Sequence, residues 1–332
     1  MRLLTAADVR SHLPLADVID AVERALRQQA TGNVERPERP HFPVGHGLDT
    51  SADTADETGD PVGTGLTMSA HVHGDETYTT KLASVHPDNP QRGLPTVQSQ
   101  LLVTDAATGE PLVFAAAGPV TNRRTGAVGG LAARDLAVGD GPVTVGLLGA
   151  GTQALWQTRA VAETRGIEQL RVYSPDSRAS FAAERRAEGI DAEAVAEPRA
   201  AVTDADVVLT ATTATEPVFP GEALADDALV VAVGAYSAET RELDATTLDR
   251  ADRVFADVPS EVAETGDVIE SDLDPEAVEP FGDVATGDRD RQTDDGIVVV
   301  SSVGSAVFDA AAGDLLATRA AAAGAGDAVE LS

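Results

Sequence analysis

The sequence predicts an α/β protein that combines a doubly wound parallel sheet with a separate N-terminal α/β domain. Three observations predict this fold class. After residue 143 short apolar strands alternate with helical stretches, a glycine-rich turn follows the first of these strands, and strand-like runs without intervening helices occupy 64–117. With 332 residues, the chain is long enough for two domains that each bury a core.

The N-terminal elements are predicted to be one helix followed by a largely antiparallel sheet. Apolar residues recur at helical spacing over residues 5–30, and residues 47–60 are so acidic that we expect an exposed loop there. Turn residues separate the strand-like runs of 64–117, and a hairpin turn is predicted at 106–111. These runs therefore indicate strands joined by tight turns rather than by helices.

The rest of the chain is predicted to alternate between helix and strand, starting with a helix over 121–138. The predicted strands are 143–148, 171–174, 206–212, 228–234 and 254–257, and the predicted helices between them are 153–165 and 177–188. For the acidic stretch 282–295 we expect a loop, after which a strand, a glycine turn and a long alanine-rich helix close the chain. Because strands that are joined through helices pair in parallel, this pattern predicts the doubly wound sheet.

The acidic composition restricts the partners of the protein. The chain has 55 Asp and Glu residues against 24 Lys and Arg, a formal net charge of −31, yet 42% of its residues are hydrophobic. We therefore expect a folded protein with a densely acidic surface, as is typical of a halophile with a high-salt cytoplasm. Nucleic-acid binding is not expected, because no basic face is available to neutralise phosphates.

Membrane, disulfide and metal sites are not expected either. No apolar run approaches the roughly 20 residues that span a bilayer, the early charges do not fit a signal peptide, and we expect a cytoplasmic location. The chain has no cysteine, which excludes disulfides and thiolate chemistry. His71 and His73 lie two apart on a predicted strand, but no HExxH motif or third ligand accompanies them, so we expect structural or surface histidines.

A glycine-rich turn predicts a dinucleotide site. Residues 149–154, GAGTQA, follow an apolar strand and open a helix, which is the context that the G-x-G-x-x-G/A fingerprint requires. Gly149 allows the tight turn, Gly151 lets the backbone approach a pyrophosphate, and Ala154 lets helix and strand pack closely. The helix N-terminus then faces the phosphates, so the parallel sheet is predicted to be a Rossmann domain that binds NAD or NADP.

The end of the next strand bears on the choice between these two cofactors. NAD-specific sites usually place a carboxylate there to bind the ribose hydroxyls, whereas this strand ends at Tyr173-Ser174, and Arg178 follows. A hydroxyl and a guanidinium suit a 2′-phosphate and favour NADP. Asp176 remains available to bind the ribose of NAD. The alternative interpretation of Arg178 is a solvated residue at the start of a helix, without a role in cofactor binding.

Lys81 is the one lysine of the chain: removing it from the 24 Lys and Arg residues leaves 23 arginines. An ammonium donates and accepts protons readily and shifts its pKa on burial, which a guanidinium does not do. Its retention in an arginine-biased chain therefore makes it a candidate catalytic residue, with chance survival as the alternative.

Several segments together resemble the ornithine cyclodeaminase/mu-crystallin family, which includes ornithine cyclodeaminases, an archaeal type of alanine dehydrogenase and ketimine reductases. The segments are KLASVHPDNPQRGLPTVQSQLLVTDAATGEPL (81–112), VTNRRTGAVGGLAARDLA (120–137), GAGTQA (149–154), TATTATEP (210–217), VGAYSAETRELD (233–244) and SSVGSAVFDAAAGD (301–314). The resemblance implies a substrate-binding and dimerisation domain over 1–120, completed by the C-terminal helix at about 305–332, and a dinucleotide-binding Rossmann domain over 121–304.

The resemblance also implies roles for individual residues. Lys81 matches the active-site lysine of the family, Arg124 matches the arginine that binds the substrate carboxylate, and Arg39 matches an assisting arginine. A bidentate guanidinium suits a carboxylate. Positions that line the dinucleotide in the family are matched by Thr96, Thr152, Gln153, Ser174, Thr212, Val233 and Ser302.

One departure from the family pattern affects the predicted activity. Cyclodeaminases and the alanine dehydrogenase type carry an aspartate shortly after the Val-Gly of a late strand, where this chain has Tyr236. Asp309 and Glu239 are candidates to replace it, although a structural role is the expectation for both. We therefore predict an NAD(P)H-dependent oxidoreductase that interconverts an α-imino or keto acid and an amino acid, and we expect a homodimer that acts on a small molecule. Ornithine cyclodeaminase and a non-catalytic, crystallin-like dinucleotide-binding protein are the alternatives.

Overall fold

The structure is a computed structural model that describes residues 1–48 and 60–330, so most of the acidic loop predicted at 47–60 lies outside the described residues. The chain divides into two compact units. The first unit comprises Met1–Pro14, Asn33–Thr121 and Ala306–Ser332, and the second comprises Leu15–Gly32 and Asn122–Ser305.

The elements are numbered in chain order. The strands are β1 (Arg2–Leu4), β2 (Val34–Glu35), β3 (His41–Val44), β4 (Gly63–Val72), β5 (Thr77–Val85), β6 (Val97–Asp105), β7 (Pro111–Ala116), β8 (Val143–Leu148), β9 (Ile167–Tyr173), β10 (Ala192–Ala194), β11 (Val207–Thr210), β12 (Leu229–Ala232), β13 (Ala251–Ala256), β14 (Val278–Pro280), β15 (Ile297–Ser301) and β16 (Asp327–Ala328). The α-helices are α1 (Ala6–His12), α2 (Leu15–Ala30), α3 (Gly118–Leu136), α4 (Thr152–Thr164), α5 (Arg178–Ala187), α6 (Pro198–Val202), α7 (Ala245–Asp249), α8 (Pro259–Val262), α9 (Gly266–Ile269), α10 (Gly282–Thr286) and α11 (Ala306–Ala323). Short 3₁₀ turns lie at Asn89–Arg92, Gly221–Ala223 and Pro275–Ala277.

The first unit is a sheet with the strand order β16-β1-β7-β6-β5-β4-β2, in which β3 also pairs with β4. Strands β4 to β7 pair antiparallel, as predicted, while β1 pairs parallel to β7. The C-terminal helix α11 packs on β4, β5 and β6. Gly313 permits this close packing, because a Cβ there would lie 2.6 Å from Cγ2 of Thr79 on β5.

The second unit contains a wholly parallel sheet with the order β10-β9-β8-β11-β12-β15-β13-β14. Strands β11, β12 and β15 are buried at every residue, as is typical of a parallel sheet covered on both faces. The strand order reverses at β8, from which β9 and β10 extend one way and β11 and β12 the other. This is the doubly wound, Rossmann-type arrangement that the sequence predicts, and ligands bind such sheets at the carboxyl ends of the strands beside the reversal.

The predicted helix over 5–30 is two helices. Leu13 ends α1 with an extended backbone (φ −129°, ψ 69°), because the residue before a proline disfavours helical geometry. The second helix, α2, belongs to the second unit, although the sequence places residues 15–32 in the N-terminal domain. The reason is tertiary: its apolar face packs on α10, and Gln29 Nε2 donates to the Asp257 carbonyl at 2.6 Å.

Two further elements differ from the sequence prediction. The strand predicted at 171–174 begins earlier, as β9, and the loop predicted at 282–295 begins with the helix α10. Gly282 packs against α2 so closely that a Cβ would lie 2.7 Å from the Leu26 carbonyl oxygen. This tertiary contact stabilises a helix that an acidic composition does not indicate. Within residues 1–48 and 60–330, no helix has the length and apolar character needed to cross a membrane.

Candidate functional site

The predicted glycine-rich turn connects β8 to α4. Gly149 has φ +109°, and a Cβ there would lie 2.5 Å from the Ala211 carbonyl oxygen beyond β11. Its N–H donates to the Tyr173 carbonyl at 2.9 Å. Gly149 is therefore required twice, by its left-handed backbone and by the close approach of the neighbouring strand end.

Gly151 is different, because no atom of the described residues would clash with a side chain at this position. A Cβ at this residue would meet nothing within 4 Å, and its backbone conformation (φ −89°) is open to any residue. Gly151 is the N-cap of α4, and no side chain caps this end of the helix. The first N–H groups of α4 thus suit an anion, and the open space over Gly151 fits a pyrophosphate that approaches the backbone.

A row of glycines on α3 fixes the position of α4. A Cβ at Gly126 would lie 2.6 Å from the Trp156 carbonyl oxygen, and one at Gly129 would overlap the side chain of Gln157. The buried Gln157 donates to the Thr125 carbonyl at 2.8 Å. Because α3 and α4 meet backbone to backbone, the N-terminus of α4 is held rigidly beyond β8.

Two of the predicted cofactor residues lie at this turn. Thr152 is exposed at the first turn of α4, and the half-buried Gln153 donates from Nε2 to Asn122 Oδ1 at 3.2 Å. Both therefore lie where the helix N-terminus would contact phosphates.

A buried carboxylate that the sequence reasoning missed joins the ends of β11 and β12. Glu242 accepts from the Thr210 hydroxyl at 2.7 Å, the Thr212 N–H at 2.6 Å and the Gly234 N–H at 2.7 Å. Burial raises the pKa of Glu242 to about 6, against the effect of these donors. The carboxylate thereby fixes the two segments that carry the predicted cofactor residues Thr212 and Val233.

A second carboxylate supports Glu242 in turn. Asp267 accepts from the N–H groups of Glu242 and Leu243 at 2.7 and 2.8 Å, and burial raises its pKa. In the sequence, Glu242 lies between Arg241 and Leu243, and nothing in this local pattern indicates that its side chain points at the strand ends.

A third buried carboxylate, Asp257, lies beyond β13 next to the end of β15. It accepts from the Ser302 hydroxyl at 2.7 Å and from the N–H groups of Val303 and Gly304 at 3.1 and 2.8 Å. Burial raises the pKa of Asp257, and the positive charge of Arg124 acts in the opposite direction. The predicted cofactor residue Ser302 is therefore held by a carboxylate close to a predicted substrate-binding arginine.

Arg124 is 5% exposed and packs on the turn that follows β15. A Cβ at Gly304, which has φ +86°, would lie 2.6 Å from Arg124 Nη1. The glycine thus leaves room for the guanidinium, and Asp257 provides its counter-charge.

Ser174 and Arg178 lie in the turn between β9 and α5. Arg178 Nη1 donates to the carbonyls of Ser174 and Pro175 at 2.8 and 2.6 Å, and its guanidinium lies 6.0 Å from the centre of the Tyr173 ring. The arginine therefore stabilises this turn, in addition to any contact with a 2′-phosphate.

In the first unit, the single lysine is buried beside an aspartate. Lys81 on β5 is 3% exposed, and its Nζ lies 2.6 Å from Oδ2 of Asp309, which is 0% exposed in the first turn of α11. Of the two carboxylates considered as replacements for the aspartate missing at Tyr236, Asp309 is thus in contact with Lys81. Tyr236 is 56% exposed, and the exposed Glu239 has its pKa lowered by a hydrogen bond with Ser237.

The two remaining predicted residues lie on connecting segments of the first unit. Arg39 is half-buried between β2 and β3, and Thr96 is half-buried just before β6, with its carbonyl accepting from the His86 N–H at 2.8 Å. The described residues contain no group of three His, Cys, Asp or Glu side chains arranged to hold a metal ion. His73 contacts Glu35 at 3.0 Å.

Comparisons with known proteins agree with this arrangement. The sequence profile described as ornithine cyclodeaminase/mu-crystallin family matches residues 1–324. A Δ1-pyrroline-2-carboxylate/Δ1-piperideine-2-carboxylate reductase of Azospirillum brasilense is 36% identical over 316 residues, which cover 92% of each chain.

Two solved structures are similar over essentially the whole chain. Thermococcus litoralis Δ1-pyrroline-2-carboxylate reductase, in complex with NADH and L-proline, has a TM-score of 0.89 and 30% identity, covering 99% of this chain and 100% of that one. An archaeal alanine dehydrogenase dimer with bound NAD has a TM-score of 0.88 and 26% identity, covering 100% of this chain and 99% of that one.

Proposed function

We propose that this chain, which belongs to the ornithine cyclodeaminase/mu-crystallin family, is an NAD(P)H-dependent oxidoreductase that acts on a C–N bond and reduces a cyclic α-imino acid to the amino acid. The observation that carries the proposal is the turn at Gly149 and Gly151, which opens α4 at the strand reversal of a parallel sheet in a relative of imino-acid reductases. Reduction of an open α-imino acid, as an alanine dehydrogenase performs, is the second candidate, because an archaeal alanine dehydrogenase shares the fold at 26% identity.

The cofactor in this proposal is NAD or NADP, held chiefly by the second unit. The N-terminus of α4 and the backbone at Gly151 bind the pyrophosphate, and the segments organised by Glu242 and Asp257 contribute Thr212, Val233 and Ser302. Ser174 and Arg178 are the residues proposed for the adenosine end and favour NADP, and Thr96 is a further predicted cofactor residue. When bound, the reduced dinucleotide supplies a hydride, which is the redox chemistry that side chains do not provide.

The substrate is bound by charge. Arg124 binds the α-carboxylate in a bidentate manner with the assistance of Arg39, since paired N–H donors match a carboxylate in both charge and geometry. Lys81 is the proton donor for the imine nitrogen. The negative charge of Asp257 compensates the positive charge of Arg124.

The quaternary structure and the cellular setting are further parts of the proposal. The face of β5 opposite to Lys81 bears Leu82 and Tyr78, which are 44% and 36% exposed. Apolar residues on one sheet face suit a second copy of the chain. A net charge of −31 suits a halophilic cytoplasm, where counter-ions reduce self-repulsion. Sedimentation in molar salt tests the expected homodimer, and a monomer would contradict it.

One assay tests the activity. The purified protein in molar salt is incubated with NADPH or NADH and with Δ1-pyrroline-2-carboxylate, Δ1-piperideine-2-carboxylate or pyruvate plus ammonia, and separately with ornithine alone. Oxidation of the cofactor with a cyclic imino acid supports the proposal, and oxidation with pyruvate plus ammonia supports the second candidate. Proline and ammonia from ornithine without net cofactor change indicate a cyclodeaminase, and no reaction with any substrate indicates a binding protein.

A further inference from the structure

We propose that Asp309 is a positioning residue that keeps Lys81 in its protonated form and holds its Nζ in place, so that the lysine is ready to donate a proton. The inference rests on the proposed function for the role of Lys81 as proton donor. The contact itself, 2.6 Å between two buried side chains, is independent of any substrate.

The packing of α11 on the first-unit sheet creates the contact. Alternate residues of β5 face the helix, and each meets a different group on it: Thr77 donates to Asp314 at 3.0 Å, Thr79 packs on Gly313, and Lys81 donates to Asp309. The absence of a side chain at Gly313 sets the distance between helix and strand. The register of α11 therefore determines which carboxylate reaches Lys81.

The surroundings of Lys81 make this carboxylate important. The residues opposite Lys81 on the adjacent strands are Met68 on β4 and Leu101 on β6, and both are buried and apolar. The titratable residues of β4 and β6 are His71 and Asp105, and both lie near the start of β5. His71 is opposite Tyr78, and Asp105 is opposite Thr77.

The cost of burial determines the effect of Asp309. An ammonium taken out of water loses its proton readily unless an opposite charge compensates the lost hydration. At 2.6 Å the Asp309 carboxylate provides that charge, and it also fixes the Nζ, which a flexible four-carbon side chain does not do by itself. Without Asp309, the pKa of Lys81 falls, and a larger fraction of the lysine is the neutral amine near neutral pH.

The proton balance of the proposed step is complete. The imine nitrogen accepts a proton from Lys81 Nζ, and the imine carbon receives the hydride of the reduced dinucleotide, so that the C=N double bond becomes a C–N single bond. Lys81 is left as a neutral amine beside the Asp309 carboxylate, and it takes its next proton from water.

Because Lys81 is the chain's single lysine, its protonation is measurable without assignment. Protein that contains ¹³Cε-labelled lysine gives one resonance, whose chemical shift is followed against pH in molar salt for the wild type, Asp309→Asn and Asp314→Asn. The last variant is the matched control, because it alters the contact with Thr77 on the same helix and strand. Thermal melting reports whether each variant is folded.

We expect wild-type Lys81 to titrate at or above the ordinary value of about 10.4, and Asp309→Asn to lower the midpoint by about one to three pH units. Asp314→Asn leaves the midpoint unchanged. An unchanged midpoint in folded Asp309→Asn, or an equal shift in Asp314→Asn, overturns the proposal. If Asp309→Asn does not fold, the wild type alone decides: a lysine that is neutral at pH 7 overturns the proposal, and one that is protonated at pH 7 supports it.

The pH profile of turnover links this measurement to the reaction. In Asp309→Asn the high-pH limb of kcat for imine reduction shifts down with the titration midpoint, while the Kd for NAD(P)H stays within twofold of the wild type. A profile that does not follow the midpoint overturns the link between Asp309 and proton donation. Absence of turnover in the wild type instead contradicts the proposed function. In that case the titration alone still tests whether Asp309 keeps Lys81 protonated.

Discussion

Buried carboxylates occur in both units, but the groups that neutralise them differ. In the first unit, Asp309 faces the ammonium of Lys81. In the second unit, Glu242 and Asp257 each accept hydrogen bonds from two backbone N–H groups and one hydroxyl, and the positive charge of Arg124 also acts on Asp257. Backbone N–H groups and a guanidinium do not give up protons at ordinary pH, so these two carboxylates organise segments of chain and hold charge. A lysine does exchange its proton, so the contact with Asp309 can also serve chemistry.

The comparison also separates the effects expected from mutation. Changes at the pair in the first unit should reduce turnover and leave cofactor binding intact. Changes at the strand ends of the second unit should alter cofactor binding, substrate binding or the free energy of unfolding. A variant of one unit with the effect expected for the other would break this division.

The largest effect is expected for Lys81→Arg. The variant retains the positive charge beside Asp309 but loses the group that exchanges a proton, so kcat for imine reduction should fall by about 10²- to 10⁴-fold. Steady-state kinetics and NADPH fluorescence titration measure turnover and binding separately. Arg10→Lys is the control, because it exchanges one basic residue for another at an exposed position and should leave turnover unchanged. More than a tenth of wild-type turnover in Lys81→Arg would be incompatible with proton donation by Lys81.

The two glycines of the turn sharpen the comparison within the second unit. Gly149→Ala should lower the free energy of unfolding by about 2–4 kcal/mol, since it combines a left-handed residue with a close contact to Ala211. Gly151→Ala should leave it within about 0.5 kcal/mol, yet weaken NAD(P)H binding at least about tenfold, because the added methyl occupies the space over the backbone. Chemical denaturation and fluorescence titration measure the two effects. Unchanged cofactor affinity in Gly151→Ala would show that the cofactor does not bind over the backbone of this turn.

Arg124→Lys tests the charge that Asp257 holds in the second unit. A lysine retains the charge but loses the bidentate geometry, so kcat/KM for the imino acid should fall about 10- to 100-fold, mainly through KM. The Kd for NAD(P)H should change little. Equal loss of kcat at saturating substrate would place Arg124 in the chemical step rather than in carboxylate binding.

The smallest expected effect is the pH dependence of stability caused by Glu242. Its pKa in the folded protein is about 6, above the ordinary 4.5, so the folded state binds the proton more tightly than the unfolded state. The resulting stabilisation is fully present below pH 4.5 and is lost as the pH rises through about 6; a shift of about 1.5 units corresponds to about 2 kcal/mol. Glu242→Gln lacks this contribution.

Urea denaturation in molar salt between pH 4 and pH 7 measures it. The difference in unfolding free energy between the wild type and Glu242→Gln should be larger at pH 4 than at pH 7 by about that amount. Glu239→Gln is the comparison in the same segment: the pKa of this exposed carboxylate is lowered, so any pH dependence that it contributes has the opposite sign to that of Glu242. A difference between the wild type and Glu242→Gln that does not change with pH would show that burial does not govern the protonation of Glu242.

Local patterns predict the parts of the fold that depend on local physics. The alternation of strand and helix after residue 143 is confirmed by the parallel sheet, and the turn residues between 64 and 117 by the antiparallel one. The Gly149 turn is also confirmed in its place between β8 and α4. By contrast, α10 and the assignment of α2 to the second unit depend on how these two helices pack on each other, which no local pattern expresses.

By itself, the sequence determined the fold class, the glycine-rich turn and the singular position of Lys81, because backbone preference, hydrophobic periodicity and composition are properties of short segments. Only the tertiary structure decided which carboxylates matter. Glu242 is 32 residues from Thr210, Asp257 is 45 residues from Ser302, and Asp309 lies 228 residues from Lys81. Such contacts arise where strand ends meet and where α11 packs on the sheet, and burial there gives three otherwise ordinary acidic residues their distinct roles.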